Sequence, residues 1–374
     1  MGRLTGSNFI LSLALHSPPG TMENQTSDSR QPIVISGPCG AETENQLHET
    51  ARQLKLTGKV HMLRAGIWKP RTRPGSFEGM GEIGLGWLVK ASKETGLPAM
   101  TEVATPEHVE LVLKAGLKNV WIGARSTVNP FLIQEIAEAL KDNEDITVFV
   151  KNPVNPDVDL WMGAIERFHR VGIKTVHAIH RGFSVYKPVK YRNEPMWEIP
   201  LKLKRLMPEI KLFCDPSHIC GRRDMLLDVA QKALDLIYDG LMIETHIEPD
   251  KALSDARQQI TPAELDTLLK SLAVRSASIK DAALIESLSE LRGKIDQIDQ
   301  ELMALIGERM QVAEAIGKIK KEKHITILQP ERWNQIKKYY GDGAGQNSLT
   351  EEFIEKYLEA LHQESIRRQT RVMK

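Results

Sequence analysis

Short apolar runs alternate with amphipathic segments over the first two thirds of the chain. Eight runs rich in Val, Ile and other apolar residues occur in order: PIVISGPC, VHMLRAG, PAMTEV, NVWIGAR, TVFVKNP, TVHAIHRG, KLFCDPSH and GLMIETH. The segments between them, such as PEHVELVLKAG, have helical periodicity, and several end in Gly. Eight strand–helix repeats over residues 31–270 predict an α/β fold, a (β/α)8 TIM barrel, with a doubly wound sheet as the alternative.

The pattern changes after about residue 270, where strand signals stop. A small, polar stretch predicts a linker over 274–283, and residues 284–323 then have the pattern of one long helix. Its apolar residues follow a heptad seam: Leu288, Leu291, Ile295, Ile298, Leu302, Leu305, Val312, Ile316 and Ile319. A dimerisation coil explains every seam position except Arg309, because a buried guanidinium needs an anion.

Other polar residues accompany Arg309 on the C-terminal helices. Lys320 lies 11 residues beyond it, about three turns, so both face the same side. Arg292 precedes Lys320 by 28 residues, or roughly 42 Å, so only an antiparallel partner helix could bring the two together. The segment QPER opens a second helix, and near the C-terminus Ser365 and Gln369 are four residues apart on one helical face. These positions predict a site completed across a homodimer.

Composition narrows the classes of partner. The 374 residues carry a net charge of +1, which offers no overall field for nucleic acid or a membrane, and no apolar run reaches the roughly 20 residues of a membrane span. Three cysteines make no disulfide framework and favour a reducing, cytoplasmic location. Residues 1–30 are predicted to be a disordered lead, with Met22 as an alternative start. The predicted domains are a barrel over 31–273 and a helical domain over 284–374.

Candidate site residues lie at the carboxyl ends of the predicted strands, where barrels build active sites from their βα loops. Seven residues occupy such positions: Cys39, Arg64, Glu102, Arg125, Lys151, Arg181 and His218. Seven together predict one shared pocket. Its cations, with the run KPRT at 69–72, suit substrates with several anionic groups, since arginine binds phosphate or carboxylate through a planar fork.

A metal site is predicted in the same pocket. The candidate ligands come from strands 1, 7 and 8 and the loop after strand 8, which are neighbours in a closed barrel: Cys39, His218, Glu244 and Asp255. Sulfur, nitrogen and two oxygens suit a divalent ion that acts as a Lewis acid, and manganese, iron, cobalt and zinc are all tolerated. Cys214 and Cys220 are interpreted as small buried hydrophobic residues.

Several long segments, in order, resemble the signatures of a known family. The barrel region contains GPCGAE, RAGIWKPRT, IGARS, DPSHICGRRD and ETHIEPDKALSD, and it resembles 3-deoxy-D-arabino-heptulosonate 7-phosphate (DAHP) synthase, type I beta, across nearly all of residues 31–270. Residues 284–374 contain LRGKIDQIDQELMALIGERMQVAEAIGKIK, QPERW and ESIRRQ, and they are similar to the all-helical chorismate mutases. The chain thus resembles a bifunctional fusion of the two.

For the synthase, the resemblance implies metal-dependent condensation of phosphoenolpyruvate with erythrose 4-phosphate. Arg125 and Arg181 would hold the phosphate of phosphoenolpyruvate. Its carboxylate would be surrounded by Arg64, Lys69 and Lys151. The divalent ion would polarise the aldehyde for attack by C3 of the enol.

The resemblance also implies residues for the aldose. Arg71 and Thr72 would hold its phosphate, and Asp215 would hold one of its hydroxyls. Glu102 and Ala124 are implied as further substrate-binding residues. Those implied in catalysis are Arg64, Lys69 and His218.

For the mutase, the resemblance implies a pericyclic rearrangement of chorismate to prephenate, helped by clamping a dicarboxylate and stabilising charge on the breaking ether oxygen. Arg309 and Arg292 of a partner subunit would hold the carboxylates, and Lys320 and Gln369 would face the ether oxygen. The pocket would be completed by Gln329, Arg332 and Ser365. Because no ferredoxin-like regulatory domain precedes the barrel, prephenate bound at the mutase site is expected to inhibit the synthase.

Three positions depart from the patterns of these families. Gly40 stands where the synthase family usually has Ser, and Arg73 replaces a small hydroxyl residue, which changes the expected phosphate contacts. Trp333 occupies a position that is acidic in some mutases, which changes the expected contact to the hydroxyl of chorismate.

Three other functions are compatible with parts of the sequence. The sister enzyme 3-deoxy-D-manno-octulosonate 8-phosphate synthase shares the barrel, although the proline of KPRT favours the heptulosonate enzyme. A Schiff-base aldolase could use Lys151. The helical tail could be a non-catalytic dimerisation or regulatory module attached to a DAHP synthase.

Overall fold

A computed structural model describes the residues 31–69, 75–143, 145–186, 190–236, 238–275, 281–341 and 349–374. The predicted lead, the residues Arg71, Thr72 and Arg73, and residues 276–280 of the predicted linker lie outside the described residues. The chain divides into two compact units, with the division between Ala277 and Ser278. The domain bounds 31–273 and 284–374 remain predictions.

Eight parallel strands of the first unit close into a barrel in the order β1 to β8. Their bounds are Ile33–Gly37, Met62–Arg64, Ala99–Val103, Asn119–Ile122, Thr147–Lys151, Thr175–His180, Lys211–Cys214 and Gly240–Glu244. The pairing of β1 with β8 runs from Ile33 and Gly240 to Gly37 and Glu244 and closes the ring. The barrel prediction is confirmed, and the doubly wound alternative is wrong.

Helices connect successive strands and cover the outside of the barrel. The helices α1 to α10 span Glu44–Leu56, Gly81–Thr95, Pro106–Lys114, Ala124–Thr127, Pro130–Leu140, Val158–Arg170, Glu198–Leu206, Pro216–Cys220, Leu226–Asp235 and Pro262–Ser271. Several begin at a polar side chain that accepts a hydrogen bond from the first turn: Thr43, Thr105, Asn129 and Asp157. These caps fix where each loop ends and therefore which loop residues remain above the barrel.

Two hydrophobic clusters lie on opposite faces of the sheet because successive side chains along a strand alternate. The outer cluster packs the strands against the helices. The smaller inner cluster takes residues from seven strands: Ile35, Met100, Trp121, Phe149, Ile179, Phe213 and Met242. These side chains fill the barrel as a packed core, so polar chemistry is left to the carboxyl ends of the strands.

The second unit contains three helices within the described residues: α11 (Ala282–Glu322), α12 (Pro330–Gly341) and α13 (Glu351–Met373). The observed α11 starts two residues before the predicted helix and ends one residue before its predicted end. Three pairs of neighbours ascend α11 and α13 together, so these helices run in the same direction: Arg309–Ser365, Glu314–Arg368 and Gly317–Gln369.

Apart from Arg309, which contacts Ser365, the heptad seam of α11 faces away from α13. Met310 and Ala313, which lie between seam positions, are buried within this unit. Leu291, Ile298 and Val312 on the seam remain 55%, 55% and 61% exposed. No helix of the described residues combines the length and apolarity needed to cross a membrane.

Candidate active sites in the barrel and the helical unit

A buried ion pair forms the floor of the barrel site. Arg64 ends β2 and Glu244 ends β8, both are fully buried, and Arg64 Nη2 lies 3.1 Å from Glu244 Oε1. The guanidinium also lies 4.7 Å above the ring of Trp121, which rises from the inner core. Burial alone would raise the pKa of Glu244, but the charges of His218 and Arg64 lower it. The pair therefore keeps its charges without contact with water.

Cys39 joins this floor from the loop after β1. Its Sγ accepts a hydrogen bond from Lys69 Nζ at 2.9 Å and lies 3.4 Å from Asp255 Oδ2. Burial, followed by the charge of Glu244, raises the pKa of the thiol to about 12. Ligand atoms of Cys39, Glu244 and Asp255 all lie within 4.8 Å of one another. Three of the four predicted ligands are therefore grouped.

The fourth predicted ligand, His218, lies beside this group. Its Nε2 is 3.7 Å from Glu244 Oε1, and its Nδ1 is 2.8 Å from Asp215 Oδ2. A carboxylate on one ring nitrogen that directs the other toward a ligand group is typical of histidine at metal centres. Among the described residues Glu244 Oε1 accepts no hydrogen bond, although it is fully buried. The set of sulfur, nitrogen and oxygen donors therefore fits a divalent ion.

Sequence reasoning missed three polar residues around these groups. Arg192 Nη1 donates to Asp255 Oδ1 at 3.0 Å and to Gln258 Oε1 at 2.5 Å. Gln258 Nε2 donates to Glu244 Oε2 at 2.7 Å, and Gln259 Oε1 accepts from the backbone N–H of Cys39. These residues come from long loops after β6 and β8, whereas the sequence criterion considered strand ends.

A second buried pair continues the floor toward β5 and β7. Lys151 Nζ, at the end of β5, lies 2.9 Å from Asp215 Oδ2 just beyond β7. Burial opposes the charge on Asp215, yet His218 and Lys151 hold the pKa of this carboxyl well below its usual range. Lys151 also lies 5.8 Å from the ring of Trp121. Arg64 and Lys151 therefore both lie close to one aromatic side chain.

Further cations lie above β4 and β6. Arg181 Nη1 donates to Asn193 Oδ1 at 2.7 Å, and its backbone N–H donates to Asn152 Oδ1. Burial, together with the charges of Arg192 and Arg125, lowers the pKa of Arg181 to about 10. Because these positive charges disfavour one another, an anion bound among them would be stabilised.

The loop after β4 brings the remaining predicted barrel residues close together. Glu102 Oε2 accepts a hydrogen bond from Trp121 Nε1 at 3.0 Å. A methyl group at Gly123 would lie 2.2 Å from Glu102 Oε1, so only glycine permits this approach. Ala124 and Arg125 follow directly and begin α4. The structure thus gathers the predicted barrel residues at one end of the barrel, apart from Arg71 and Thr72, which lie outside the described residues.

In the helical unit, Arg309 and Ser365 meet between α11 and α13. Arg309 Nη1 donates to Ser365 Oγ at 2.6 Å, and that hydroxyl donates to the carbonyl of Leu361. Gln369, one turn further along α13, is buried, and its Oε1 has no hydrogen-bond partner among the described residues. A buried amide oxygen without a partner is costly, which fits a position that receives a ligand.

The other predicted mutase residues differ in their distance from Arg309 and Ser365. Lys320 is buried and donates to the carbonyl of Ile327 at 2.7 Å. Gln329 and Arg332 lie where α12 begins. Arg292 is exposed and lies 17 residues before Arg309, or roughly 26 Å along α11. Within one chain Arg292 therefore does not reach the other residues.

Comparison with known families identifies both parts of the chain. Residues 21–280 match the DAHP synthetase I family, and residues 291–370 match chorismate mutase type II. The barrel, with its candidate metal-ligand group, is thus followed along the chain by a helical region that matches a second enzyme family. The chain belongs to the DAHP synthetase I family and carries a chorismate mutase type II domain after the barrel.

Individual relatives agree with this division. The chain is 30% identical over 227 residues to the phospho-2-dehydro-3-deoxyheptonate aldolase of Thermotoga maritima, covering 61% of this chain and 64% of that protein, which is less than two thirds of its length. A crystal structure of this Thermotoga maritima DAHP synthase superposes with a TM-score of 0.57 at 28% identity, covering 64% of this chain and 67% of that one. The bifunctional chorismate mutase/prephenate dehydratase of Aquifex aeolicus is 44% identical over 52 residues, 14% of each chain.

Proposed function

We propose that this chain is a bifunctional enzyme of aromatic amino acid biosynthesis. The barrel condenses phosphoenolpyruvate with erythrose 4-phosphate to DAHP and phosphate, and the helical unit rearranges chorismate to prephenate. The observation that carries the first activity is the ring of cations around the buried group of Cys39, Glu244 and Asp255. Such a site binds a polyanionic substrate beside a divalent ion.

Phosphoenolpyruvate is held by the cations at the carboxyl ends of the strands. Arg125 and Arg181 bind its phosphate, which is supported by the lowered pKa of Arg181 among positive neighbours. Arg64, Lys69 and Lys151 bind its carboxylate, since Arg64 and Lys151 lie close to Trp121 and are fixed by buried carboxylates. This arrangement orients the C3 carbon of the enol toward the aldose.

The aldose occupies the side of the site that lies toward Asp215 and the KPRT loop. Asp215 is ionised and buried, so it accepts a hydrogen bond from a sugar hydroxyl. Arg71 and Thr72 bind the sugar phosphate, and Glu102 and Ala124 contact substrate near Arg125. A divalent ion held by Cys39, His218, Glu244 and Asp255 would polarise the aldehyde. A bond forms between C3 of the enol and the aldehyde carbon, water adds at C2, and phosphate leaves with the former enol oxygen.

The synthase is tested by measuring phosphate release from phosphoenolpyruvate and erythrose 4-phosphate by the purified chain. Turnover should vanish with a chelator and return with manganese, iron, cobalt or zinc. A five-carbon aldose phosphate in place of erythrose 4-phosphate tests the octulosonate alternative. Borohydride with substrate tests the Schiff base on Lys151, and we expect no covalent adduct because Lys151 is engaged by Asp215.

The helical unit binds chorismate as a dicarboxylate. Arg309, which donates a hydrogen bond to Ser365, binds one carboxylate. Lys320 and Gln369 face the ether oxygen. Gln329 and Arg332 complete the pocket. Clamping the reactive conformer and stabilising charge on the ether oxygen are sufficient for a pericyclic step. Loss of chorismate absorbance with formation of prephenate tests this activity, whereas binding without turnover would favour a regulatory module.

A homodimer supplies the missing cation of this pocket. The exposed heptad seam of α11 supports a partner helix, because apolar seam residues are buried in coiled coils. An antiparallel partner would bring its Arg292 to the pocket that Arg292 of the same chain cannot reach. Sedimentation equilibrium of the chain tests the dimer, and mixing Arg292→Ala with Arg309→Ala chains should restore some mutase turnover in the mixed dimer.

Prephenate is the proposed feedback inhibitor of the synthase, bound in the mutase pocket. Prephenate is the product of the proposed mutase and is a dicarboxylate. The Arg309 pocket is suited to a dicarboxylate, which supports this proposal.

A further inference from the structure

Two aromatic rings beside the mutase pocket have no role in the mechanism above. Trp333 of α12 and His362 of α13 are stacked, with ring centroids 4.2 Å apart and an angle of 18° between the ring planes. His362 is half-buried. The indole covers one face of the imidazole, so the edge that carries the ring nitrogens is left for polar contacts.

The position of His362 relates it to the predicted substrate residues. His362, Ser365 and Gln369 are three and seven residues apart on α13, so they lie along one face of the helix. Ser365 accepts the hydrogen bond from Arg309, which places a guanidinium one turn from His362. The imidazole thus lies at the α12 end of the same row of polar groups.

The surroundings of His362 favour the neutral imidazole. Burial, followed by the positive charge of Arg309, lowers the pKa of His362. A neutral imidazole has one donor and one acceptor nitrogen. Among the described residues, neither nitrogen of His362 forms a hydrogen bond. A neutral group of this kind matches a hydroxyl, whereas the surrounding cations match carboxylates.

We propose that His362 is a specificity-determining residue that hydrogen-bonds the ring hydroxyl of chorismate, with Trp333 holding the imidazole in place. The inference rests on the proposed mutase function. Chorismate has two carboxylates and an ether oxygen, which are assigned to Arg309, Arg292, Lys320 and Gln369, and the hydroxyl remains. Trp333 stands where some mutases have an acidic residue for this contact, and its indole offers no acceptor. The histidine on the facing helix supplies one.

A substrate-variant cycle tests this contact. Wild type, His362→Ala and His362→Gln are assayed with chorismate and with an analogue that lacks the ring hydroxyl. With chorismate, His362→Ala should raise KM roughly tenfold while kcat changes less, because one hydrogen bond to a spectator hydroxyl contributes to ground and transition states alike. His362→Gln keeps a donor and an acceptor and should recover part of the loss. With the analogue, wild type and His362→Ala should have similar KM values.

The controls separate this contact from a structural role. Gln363→Ala changes the exposed neighbouring residue of α13 and should leave both substrates unaffected. Trp333→Phe preserves a ring for stacking and should resemble wild type more closely than Trp333→Ala. If His362→Ala raises KM equally for chorismate and the analogue, or for neither, the proposed role of His362 is wrong. Turnover of chorismate by the wild type would still support the mutase function in that case. A wild-type chain that leaves chorismate unchanged would overturn the proposed function and the inference with it.

Discussion

Cys39 and Cys214 show how neighbours determine the chemistry of a residue type. Both thiols are fully buried, and burial is the largest cause that raises the pKa of each. Cys39 lies among polar groups, with Lys69 Nζ at 2.9 Å and Asp255 Oδ2 at 3.4 Å. Cys214 belongs to the apolar cluster between the strands and helices. Only Cys39 therefore has the surroundings of a metal ligand.

Replacing these thiols should separate the two roles. Cys39→Ala should lower synthase turnover by at least roughly a hundredfold and lower the bound metal, because a direct ligand is lost. Cys214→Ala should keep most of both, at a stability cost of about 1 kcal/mol for a small cavity. Phosphate release and metal content after dialysis measure the effects. Equal losses in the two variants would remove Cys39 from the ligand set.

His180 links the end of β6 to the loop that carries Arg192 and Asn193. Its Nε2 donates to the carbonyl of Pro195 at 2.6 Å, and its Nδ1 accepts from the hydroxyl of Tyr238 at 3.0 Å. The second bond requires the neutral ring, because a protonated Nδ1 cannot accept. Burial accordingly lowers the pKa of His180 from its ordinary value of 6.5 to about 3.

This buried histidine predicts a pH dependence of stability. Between pH 3 and 6.5 the unfolded chain binds a proton at His180 that the folded chain does not, so the free energy of unfolding falls as the pH is lowered through that range. One such proton contributes up to about 1.4 kcal/mol per pH unit. His180→Gln can keep both hydrogen bonds without titrating, and its urea midpoint should vary less between pH 7 and 5. Parallel curves for wild type and variant would contradict the prediction.

The positions of the strands along the sequence predicted the site residues at strand ends, but they did not predict the site residues in long loops. Arg64, Lys151 and Glu244 end their strands, and a barrel places all strand ends around one axis. Arg192 and Gln258 lie in long connections whose paths depend on contacts with Asp255 and Glu244. Because such paths follow from tertiary packing, the sequence pattern alone could not place these two residues.

At the scale of helices, the close approach of α11 and α13 depends on Gly317. A methyl group there would lie 2.6 Å from Val372 Cγ2 and 3.0 Å from the Cα of Gln369. The second contact is with backbone, so α13 itself would have to move. Gly307, ten residues earlier on the same helix, has nothing within 4 Å of such a methyl group.

These two glycines form a matched pair for a test. Gly317→Ala should displace Gln369 and reduce mutase turnover by at least roughly tenfold, because misplaced polar groups lose transition-state stabilisation. Gly307→Ala should retain turnover and stabilise the helix by up to about 1 kcal/mol. Chorismate kinetics and thermal unfolding followed by circular dichroism measure both. Full turnover in Gly317→Ala would show that this contact does not position Gln369.

Arg309 lies on α11 and contacts α13. Its replacement tests whether this seam residue binds substrate or has a structural role. Arg309→Ala should remove mutase turnover, since a carboxylate loses its guanidinium, while the helical dimer stays intact. An apolar residue suits a seam position better than an unpaired charge, so dimer stability should not fall. Chorismate kinetics and sedimentation equilibrium measure the two effects. Retained turnover would make Arg309 a structural residue.

The heptad pattern predicted the bounds of α11 well, but it did not predict what covers each face of the helix. The helix bounds agree within two residues because a long periodic segment has a strong signal. The same pattern does not distinguish a face covered within the chain from one covered by another chain. Within the described residues, Met310 and Ala313 are buried, whereas Ile298 and Val312 are exposed. The exposure of the seam side chains, and not the heptad pattern, is therefore what indicates a partner chain.

At the scale of the whole chain, the two proposed active sites lie in units that a small, polar stretch of sequence joins. The compact units are divided between Ala277 and Ser278, inside the segment that the sequence predicts as a linker. A linker of small, polar residues permits more than one arrangement of the units that it joins. Ligand binding to one unit can then alter the other if the ligand prefers one arrangement.

We expect prephenate to inhibit the synthase through the mutase pocket. A tenfold inhibition requires about 1.4 kcal/mol of differential affinity between the arrangements. In the full chain, prephenate should slow phosphate release by the wild type but not by Arg309→Ala, whose synthase site is unchanged. A barrel obtained by cutting the chain near Ala277 should also be insensitive. Inhibition of Arg309→Ala or of the isolated barrel as strong as that of the wild type would place the effector site in the barrel, and no inhibition of the wild type would reject feedback by prephenate.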